Sequence, residues 1–513
     1  MCQPTKRREG EETMFTRSIG TITTSPESSV ARRLQPDQRL TLALEALQRK
    51  RPLTQLAQSQ GVSRKFVYAQ QRRAETAAAA AFLDPAPPED FLGLLPVTRS
   101  WIRRLIVSSA LSAHASVRGI CDHVEAVTGR AVSEGTVVNV LREAVGRADA
   151  LNRAEDLRTI REGAHDEIFS QDVPVLVGVD PRTTFVYLLE LSSSRDELSW
   201  WAALTDKHER QGLDLSVSLS DAAQGLRAGV KAAFPQIELR GDVFHAQKEL
   251  SELDTYLENR AYARMAYEQD EERKMARAKR RDQGHKRSKR LAVARAEAKR
   301  VITRYDEIHT LVLWLIELLE LVGPDLAQRR ELYDWIVGEM EARASQSHRI
   351  GPVVTYFRNQ RDELLAFVAD LQRGLSRIAQ TLHVSQASVQ AVYLQFALDP
   401  EDPRYEALER QLLADAPDRT EEIFDAVADL LDATLRASSS VENINSILRP
   451  YFFLRRSIGP EFLSLLQFYL NHRRFRRSEH PERVGKSPQE LLSGRPHPHW
   501  LEMLGYPPVA LLN

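Results

Sequence analysis

The chain has 513 residues, of which 42% are hydrophobic and 27% are charged, and its 70 basic and 71 acidic residues give a net charge of −1. This length predicts about three or four domains, and the balanced charge excludes a protein that is basic throughout. Only Cys2 and Cys121 are present, which excludes a disulfide framework and a thiolate zinc site. The most apolar stretch, 310–323, is too short to span a bilayer, and the first residues lack an apolar signal segment. We therefore expect a cytoplasmic protein with no membrane partner.

Four segments are predicted before residue 163. Residues 1–35 are polar and rich in Ser, Thr and Arg, which is typical of a disordered tail. Residues 36–82 have a helical pattern, and an alanine run that ends in a proline cluster marks a linker at 83–97. Residues 98–162 return to a helical pattern, which predicts a second helical domain.

The segment LTQLAQSQGVSRKFVYAQQRR at 53–73 has the spacing of a helix-turn-helix motif. Ala57 is small where two helices must cross, Gly61 permits the positive φ of the turn, and Ser63 can cap the second helix. A recognition helix contacts the major groove of DNA through its outer side chains, which here are Arg64, Lys65, Tyr68, Gln71 and Arg72. The alternative is a helical hairpin that serves only packing.

Two weaker versions of this motif follow. Residues 116–144 have a turn glycine, a serine cap and an apolar second helix, and DNA binding and plain packing remain equal alternatives there. Residues 375–396 have His383 in place of the turn glycine, which favours packing.

From residue 164 the pattern changes to short runs rich in Val, Leu, Phe and Tyr with turn residues between them, which predicts strands. No strand pattern is found from about 246 to 440, where charged helices precede amphipathic ones. The sequence thus predicts an α/β core followed by a long helical insertion. The core is expected to contain three strands, a helix, a strand, a helix and a strand, at 165–170, 174–179, 184–192, 196–211, 213–219, 222–234 and 236–244.

Three acidic residues far apart in the sequence are candidate metal ligands: Asp166, Asp221 and Glu442. Three carboxylates make an oxygen-rich site suited to Mg²⁺ or Mn²⁺, and two such ions can catalyse phosphodiester chemistry. Asp221 lies at the carboxyl end of a predicted strand, where open α/β sheets place their sites, although a simple helix N-cap is an alternative.

Glu442 begins an amphipathic helix. Val441, Ile444 and Leu448 form an apolar stripe at helical spacing. The adjacent polar stripe can hold a metal ligand and groups that steer phosphate, namely Glu442, Asn445, Ser446 and Arg449. The alternative is a solvated face with an acid near the positive end of the helix dipole.

Asp242 and His245 follow the fifth predicted strand. Both can approach the metal or the scissile phosphate, and His245 is the stronger candidate for a role in chemistry. The alternative is a helix-capping aspartate with a hydrogen-bonded histidine. A lone histidine without companion ligands does not make a zinc site.

Residues 273–304 contain fourteen Lys or Arg and two acids. So many bases favour a contact with the DNA backbone, for which the candidates are Arg277, Lys279, Arg280 and Arg281, over a merely solvated face. The aromatic residues of the helical region are expected to form its core, and these are Trp314, Trp335, Tyr356, Phe357 and Tyr393.

These segments resemble the DDE transposases of bacterial insertion sequences, which have a catalytic core of the RNase H type. The resemblance covers about 164–250, 436–495 and the N-terminal motif. HDEIF and SLSDAAQGLRAGVKAAFP look like the family's first two acidic strands, and VENINSILRPYF, FYLNHRRF and GKSPQELLSG look like its glutamate helix and C-terminal region. The family's three acids map onto Asp166, Asp221 and Glu442. The long separation of the last two resembles the variant with a helical insertion before the glutamate.

Asp180 competes with Asp166 for the first acidic position, because it follows a more obvious strand. An RNase H type of sheet needs two further antiparallel strands between its first and second acids. Only the choice of Asp166 supplies them, and it places Asp180 in the turn between the second and third strands.

The resemblance implies a multidomain, mainly α protein with a mixed five-stranded α/β core flanked by helices. The expected segments after residue 162 are the first half of the core (163–250), an all-α insertion (251–435), the second half of the core (436–495) and a C-terminal tail (496–513). The implied function is a nucleoid-associated bacterial transposase that binds terminal inverted repeats and target DNA as a homodimer or higher oligomer, with two Mg²⁺ or Mn²⁺ ions. The alternatives are a catalytically inactive regulator and a nuclease without strand transfer.

Overall fold

The structure is a computed structural model that describes residues 30–82, 95–279, 284–436, 438–454, 459–478 and 480–508. The described residues fall into two compact units, one that ends before residue 95 and one that begins there. Arg280 and Arg281, two of the predicted DNA contacts, lie outside the described residues, as does the side chain of Lys279.

The first unit consists of helices packed around a small apolar core. Gly61 has φ +63° between the third and fourth helices, a conformation that L-residues with a Cβ rarely adopt. The core residues are Leu42, Ala46, Leu56, Ala57 and Val67. The four helices are α1 (Val30–Arg33), α2 (Pro36–Gln48), α3 (Leu53–Ser59) and α4 (Arg64–Phe82).

The second unit begins with three helices, each of which starts at a capping side chain. Thr98, Ser116 and Ser133 accept hydrogen bonds from backbone NH groups of the first turn, which satisfies donors that have no partner within the helix. The helices are α5 (Arg99–Ser112), α6 (Val117–Thr128) and α7 (Glu134–Ala154).

A mixed five-stranded sheet follows, with strand order β3-β2-β1-β4-β5. The first three strands are antiparallel neighbours, while β4 runs parallel to β1 and β5 runs parallel to β4. The predicted strands and helices of this region are confirmed. They are β1 (Glu162–Ser170), β2 (Val173–Val179), β3 (Val186–Leu191), α8 (Glu197–Gln211), β4 (Val217–Ser220), α9 (Gln224–Ala233) and β5 (Glu238–Gly241).

Helices cover both faces of the sheet. On one face, Trp200 of α8 and Val230 of α9 are fully buried against strand residues such as Leu188. Gly229 permits the close contact of α9 with α8, because a Cβ there would overlap Trp200. The other face shares one apolar cluster with α5–α7 and with the last described helices.

A large helical region separates β5 from those last helices, and it has its own apolar cluster. Ion pairs from Arg264 to Glu297 and from Arg295 to Glu272 join the first two helices as an antiparallel pair. The helices are α10 (Val243–Lys279), α11 (Gly284–Leu318), α12 (Leu326–Ala342), α13 (Ile350–Leu364), α14 (Ala366–Leu382), α15 (Gln386–Gln395), α16 (Pro403–Asp415) and α17 (Thr420–Ala433).

The helical region contacts the sheet at its β5 edge. A Cβ on Gly241 would overlap Leu364 at the end of α13, and Arg240 pairs with Asp370 at 2.6 Å. Because β5 is an edge strand, this contact covers backbone groups that would otherwise lie open. Among the described helices, none is both long and apolar enough to cross a membrane.

The last described helices return to the sheet. The side chains of Trp500, Leu504 and Tyr506 are buried in the same cluster as the strands, so this part of the chain contributes side chains to the same core. These helices are α18 (Ser439–Leu454), α19 (Pro460–His472), α20 (Pro488–Ser493) and α21 (Trp500–Met503).

The prediction that Trp314 and Trp335 are core residues is wrong. Their side chains contact each other, with ring centroids 5.9 Å apart, but are 44% and 51% exposed. Leu311 and Leu315 of α11 face the core instead. An aromatic stripe at helical spacing does not by itself tell which side of the helix meets its neighbours. Phe357 and Tyr393 are buried as predicted.

Candidate metal and catalytic site

The register of the parallel strands places three aspartates side by side. His165 pairs with Ser220, and Ser220 pairs with Gly241. The residues that follow these three are Asp166, Asp221 and Asp242. The carboxyl ends of β4 and β5 therefore lie beside the middle of β1. Each of these three strands is followed or occupied at this level by an aspartate. The carboxyl ends of the parallel strands are where an open α/β sheet is expected to bind ligands.

Hydrogen bonds to the Asp242 carboxylate hold the helix that carries Glu442 against the sheet. This carboxylate is fully buried and accepts hydrogen bonds from the backbone NH of Ser438, at 3.0 Å, and from the Ser438 hydroxyl. The backbone NH of Val243 also donates to the carbonyl oxygen of Arg436. These bonds hold the start of α18 beside β5, although almost two hundred residues separate the two elements in the chain.

Asp242 also orients His245, which lies one turn further along α10. The Asp242 Oδ2 atom is 2.5 Å from His245 Nδ1. The opposite ring nitrogen, Nε2, lies 3.5 Å from Glu442 Oε1. The histidine ring is thus held between one buried carboxylate and the candidate metal ligand on α18.

Asp166, His245 and Glu442 form the group whose ligand atoms all lie within 4.8 Å of one another. The sequence predicts Asp166 and Glu442 as metal ligands, and it predicts a role in the chemistry for His245. Asp221 is not a member of this group, but its charge acts on both Asp166 and His245. Its own carboxylate accepts a hydrogen bond from the backbone NH of Ala223 at 2.9 Å, which fixes it at the start of the next turn.

Asn445 completes the site from the next turn of α18. Its Nδ2 donates to Asp166 Oδ2 at 2.6 Å, while its Oδ1 is buried and has no hydrogen-bond partner among the described residues. A buried acceptor without a partner is costly unless a ligand or water satisfies it. This orphaned oxygen, next to carboxylate oxygens and an imidazole nitrogen, fits the donor set of a divalent cation.

The protonation of the site follows from burial and from charge. Burial raises the pKa of Asp166 to about 6; the backbone NH of Glu167 and the His245 charge oppose this rise, whereas Glu442 and Asp221 reinforce it. The hydrogen bond with Asp242 raises the pKa of His245 to about 9. In the metal-free protein, His245 is therefore a cation that balances the surrounding acids, and it must lose its proton before it can act as a metal ligand.

Arg449 lies at the outer end of the same polar stripe. Its guanidinium is 3.9 Å from Glu442 Oε2 and its side chain is 67% exposed. An exposed guanidinium next to an acidic site is suited to a phosphate oxygen.

Asp180 lies at the other end of the sheet, in the turn between β2 and β3, where the strand count places it. Its carboxylate accepts hydrogen bonds from Thr183 Oγ1 at 2.5 Å and from the backbone NH of Arg182 at 3.2 Å. Arg182 in turn pairs with Glu162 at 2.6 Å. These local partners account for the buried carboxylate without any ligand.

The side chains predicted to contact DNA through α4 lie mainly at its surface. Arg64, Lys65, Tyr68 and Arg72 are exposed, whereas Gln71 is half-buried and donates to Glu75 at 3.1 Å. Val67, on the opposite side of α4, is fully buried.

The weaker motifs differ in what their second helices expose. On α15, Ser388, Val389, Val392 and Tyr393 are all buried, which leaves little free surface on that helix. His383 has φ +52° at the turn, so a histidine occupies the position where the motif has glycine. On α7, by contrast, an outer face that includes Asn139 and Arg142 is exposed.

Acids of the α10–α11 pair neutralise some of the basic segment. Lys274 pairs with Asp270 at 2.5 Å, and Arg295 pairs with Glu272 at 2.5 Å. Arg277 is exposed and lies near the end of α10. Some of the basic residues counted in the sequence are therefore paired with acids, so fewer of them remain to contact DNA.

Sequence reasoning underestimated two residues that border this site. Asp242 holds α18 and orients His245. The sequence feature that indicates this residue is an aspartate three positions before a histidine at a strand-to-helix junction. Tyr356, a predicted core residue, is half-buried and within electrostatic range of Asp221 and Asp242. No local pattern in the sequence indicates this position.

A comparison with protein-family models gives no match, and a comparison with curated proteins gives none either.

Proposed function

We propose that this protein is a DNA transposase that cleaves phosphodiester bonds to expose 3′-hydroxyls and joins them to target DNA. The observation that carries the proposal is the assembly of Asp166, His245 and Glu442 at the carboxyl end of two parallel strands. These residues come from three distant regions of the chain, and the segments that carry Asp166 and Glu442 resemble motifs of the DDE transposases. A sheet with strand order β3-β2-β1-β4-β5 supports an RNase H type of core.

The candidate ligands for a divalent cation are Asp166, Glu442 and Asp221, with His245 as a further donor once it has lost its proton. A bound cation supplies Lewis-acid polarisation of the phosphodiester and lowers the pKa of an attacking water or hydroxyl. Asn445 holds the Asp166 carboxylate in place, and Asp242 holds His245. Arg449 lies 3.9 Å from Glu442 and is 67% exposed, and it can bind a phosphate oxygen at the rim.

The exposed side chains of α4 and the exposed bases of the α10–α11 pair are the proposed DNA contacts. Arg64, Lys65 and Tyr68 occupy the face expected to contact bases in the major groove. The bases around Arg277 contact phosphates, which position the duplex without reading its sequence.

The proposal is tested with duplex DNA that carries the genomic sequences on either side of this gene. The protein is incubated with these duplexes and Mg²⁺, and cleaved strands and joined products are separated on denaturing gels. We expect both products, and a substrate with pre-cleaved 3′ ends should still be joined. Glu442→Gln should abolish both reactions while DNA binding persists, and Glu461→Gln, at an exposed acid of α19, should be normal.

Three other outcomes would contradict the proposal in different ways. Cleavage without joining of pre-cleaved ends would identify a nuclease. Binding without any Mg²⁺-dependent cleavage by the wild-type protein would identify a regulator. Normal products from Glu442→Gln would mean that the cluster does not hold the catalytic metal.

A further inference from the structure

A second, smaller site lies directly beside Asp221. It is a polar pocket of about 340 Å³, formed where the start of α9 faces α13 of the helical region. The contact between Leu364 and Gly241 at the edge of β5 holds α13 in this position. The lining residues are Ala222, Gln224, Arg227, Tyr356, Asn359 and Gln360.

On one wall of the pocket, the charge of Arg227 is paired with an acid. The Arg227 side chain is only 14% exposed and is paired with Glu363. It also donates to Gln360 Oε1 at 2.8 Å. Because its charge is already neutralised, Arg227 gives the pocket little attraction for a phosphate group. Gln360 Oε1 already accepts from Arg227, so the amide offers a ligand its two donors and one remaining acceptor lone pair.

The other polar groups are free to bind a ligand. Among the residues that the structure describes, Gln224, Tyr356 and Asn359 have no side-chain hydrogen-bond partner. Burial raises the pKa of the Tyr356 phenol, and the charges of Asp242 and Asp221 raise it further. The phenol therefore stays protonated near the strand-end acids. The pocket thus offers three amides, one hydroxyl and one aromatic ring.

We infer that this pocket binds the base of a nucleotide adjacent to the phosphodiester at the carboxylate cluster, and that it determines base preference at that position. This inference rests on the proposed function. Asn and Gln amides are suited to the hydrogen-bonding edges of bases, and an aromatic ring is suited to stack on a base. The volume lies at the lower end of the range for small-molecule pockets, which fits one base and its sugar.

The inference is tested with the genomic duplexes described above, in which each position within a few nucleotides of the cut is randomised. The protein cleaves the pool in Mg²⁺, and the new ends are sequenced. We expect wild-type protein to prefer one base at a position adjacent to the cut. Asn359→Ala and Gln224→Ala should each weaken that preference by at least about fivefold while preferences further from the cut persist.

Stacking is tested on duplexes that carry 2-aminopurine at the preferred position. Tyr356→Ala should raise the fluorescence of the bound probe relative to wild-type protein, and Tyr356→Phe, which keeps the ring, should not. The control is Thr355→Ala on an exposed face of the same helix, where the hydroxyl only donates to the Gly351 carbonyl. This variant should match wild-type protein in both assays.

The outcomes separate this inference from the function on which it rests. If wild-type protein cleaves and Asn359→Ala and Gln224→Ala keep the full base preference, the pocket does not read a base, and the proposed function still stands. If wild-type protein cleaves none of the duplexes, the proposed function fails, and the inference fails with it.

Discussion

Asp166 lies in the middle of β1 and Asp180 in the turn after β2 of the same sheet, and burial raises the pKa of both. They differ in where their partners come from. Asp180 is satisfied within its own turn by Thr183 and Arg182. Asp166 instead meets Asn445 and His245, which come from far along the chain. A buried acid with local partners is explained by the turn that it stabilises. A half-buried acid assembled with distant polar groups requires another explanation, and a ligand supplies one.

The largest expected difference between the two aspartates is in catalysis. Asp166→Asn should reduce Mg²⁺-dependent cleavage by at least about a hundredfold, because a cation stabilises developing charge by several kcal/mol. Asp180→Asn should leave cleavage nearly unchanged. Rates are measured on the genomic duplexes under single-turnover conditions. The reverse pattern would show that Asp180 is the first catalytic acid.

A second prediction concerns Asp242, whose partners are both local and distant. Asp242→Ala removes the acceptor for the Ser438 backbone NH and hydroxyl and for His245. We expect the free energy of unfolding to fall by roughly 2–3 kcal/mol, since buried charged hydrogen bonds are lost, and cleavage to fall as well. Urea denaturation and the cleavage assay measure these effects. Asp242→Asn, which keeps the acceptor for Ser438, should recover more stability than activity.

A third prediction follows from the pKa of Asp166. The pKa is about 6 in the folded protein, against an ordinary value of 3.8, so the folded state binds more protons between these two pH values. Stability of the metal-free protein therefore falls as pH rises through this window. Asp166→Asn removes the effect, and at pH 8 the variant should be more stable than wild-type protein by on the order of 2 kcal/mol.

Urea denaturation in EDTA at pH 4, 6 and 8 tests this third prediction, and the difference should be smallest at pH 4, close to the ordinary pKa of 3.8. Added Mg²⁺ should then stabilise wild-type protein but not the variant, because a ligand that binds only the folded state stabilises it. Identical pH dependence of the two proteins would show that Asp166 is not destabilised by its surroundings.

The smallest expected effect is at the turn. Thr183→Val removes the hydroxyl that donates to Asp180 Oδ2 and should lower the free energy of unfolding by about 1 kcal/mol. Cleavage should be unaffected. Thr183→Ser keeps the hydroxyl and serves as the control, and equal stability of Thr183→Val and wild-type protein would mean that the turn does not depend on this bond.

The distribution of apolar residues along the sequence predicted much of the fold. The strands and helices of 162–241 form where short apolar runs between turn residues and helical patterns place them, because such patterns report which parts of an element are buried. The apolar stripe of Val441, Ile444 and Leu448 is buried in α18 as its spacing predicts. The half-exposed Trp314 and Trp335 show the limit of this reasoning, because the periodicity of a helix does not identify its neighbours.

The sequence by itself determined that Asp221 lies at a strand end and Glu442 at a helix start. The strand count of an RNase H type of sheet, which the resemblance implies, favours Asp166 over Asp180 as the first acid. Only the tertiary structure decided that His245 lies with Asp166 and Glu442, that Asp221 lies just outside this group, and that Asp242 fastens α18 to β5. The physical reason is range. Turns, caps and amphipathic faces depend on residues a few positions apart, whereas a site assembled from residues 166, 245 and 442 depends on how whole elements pack.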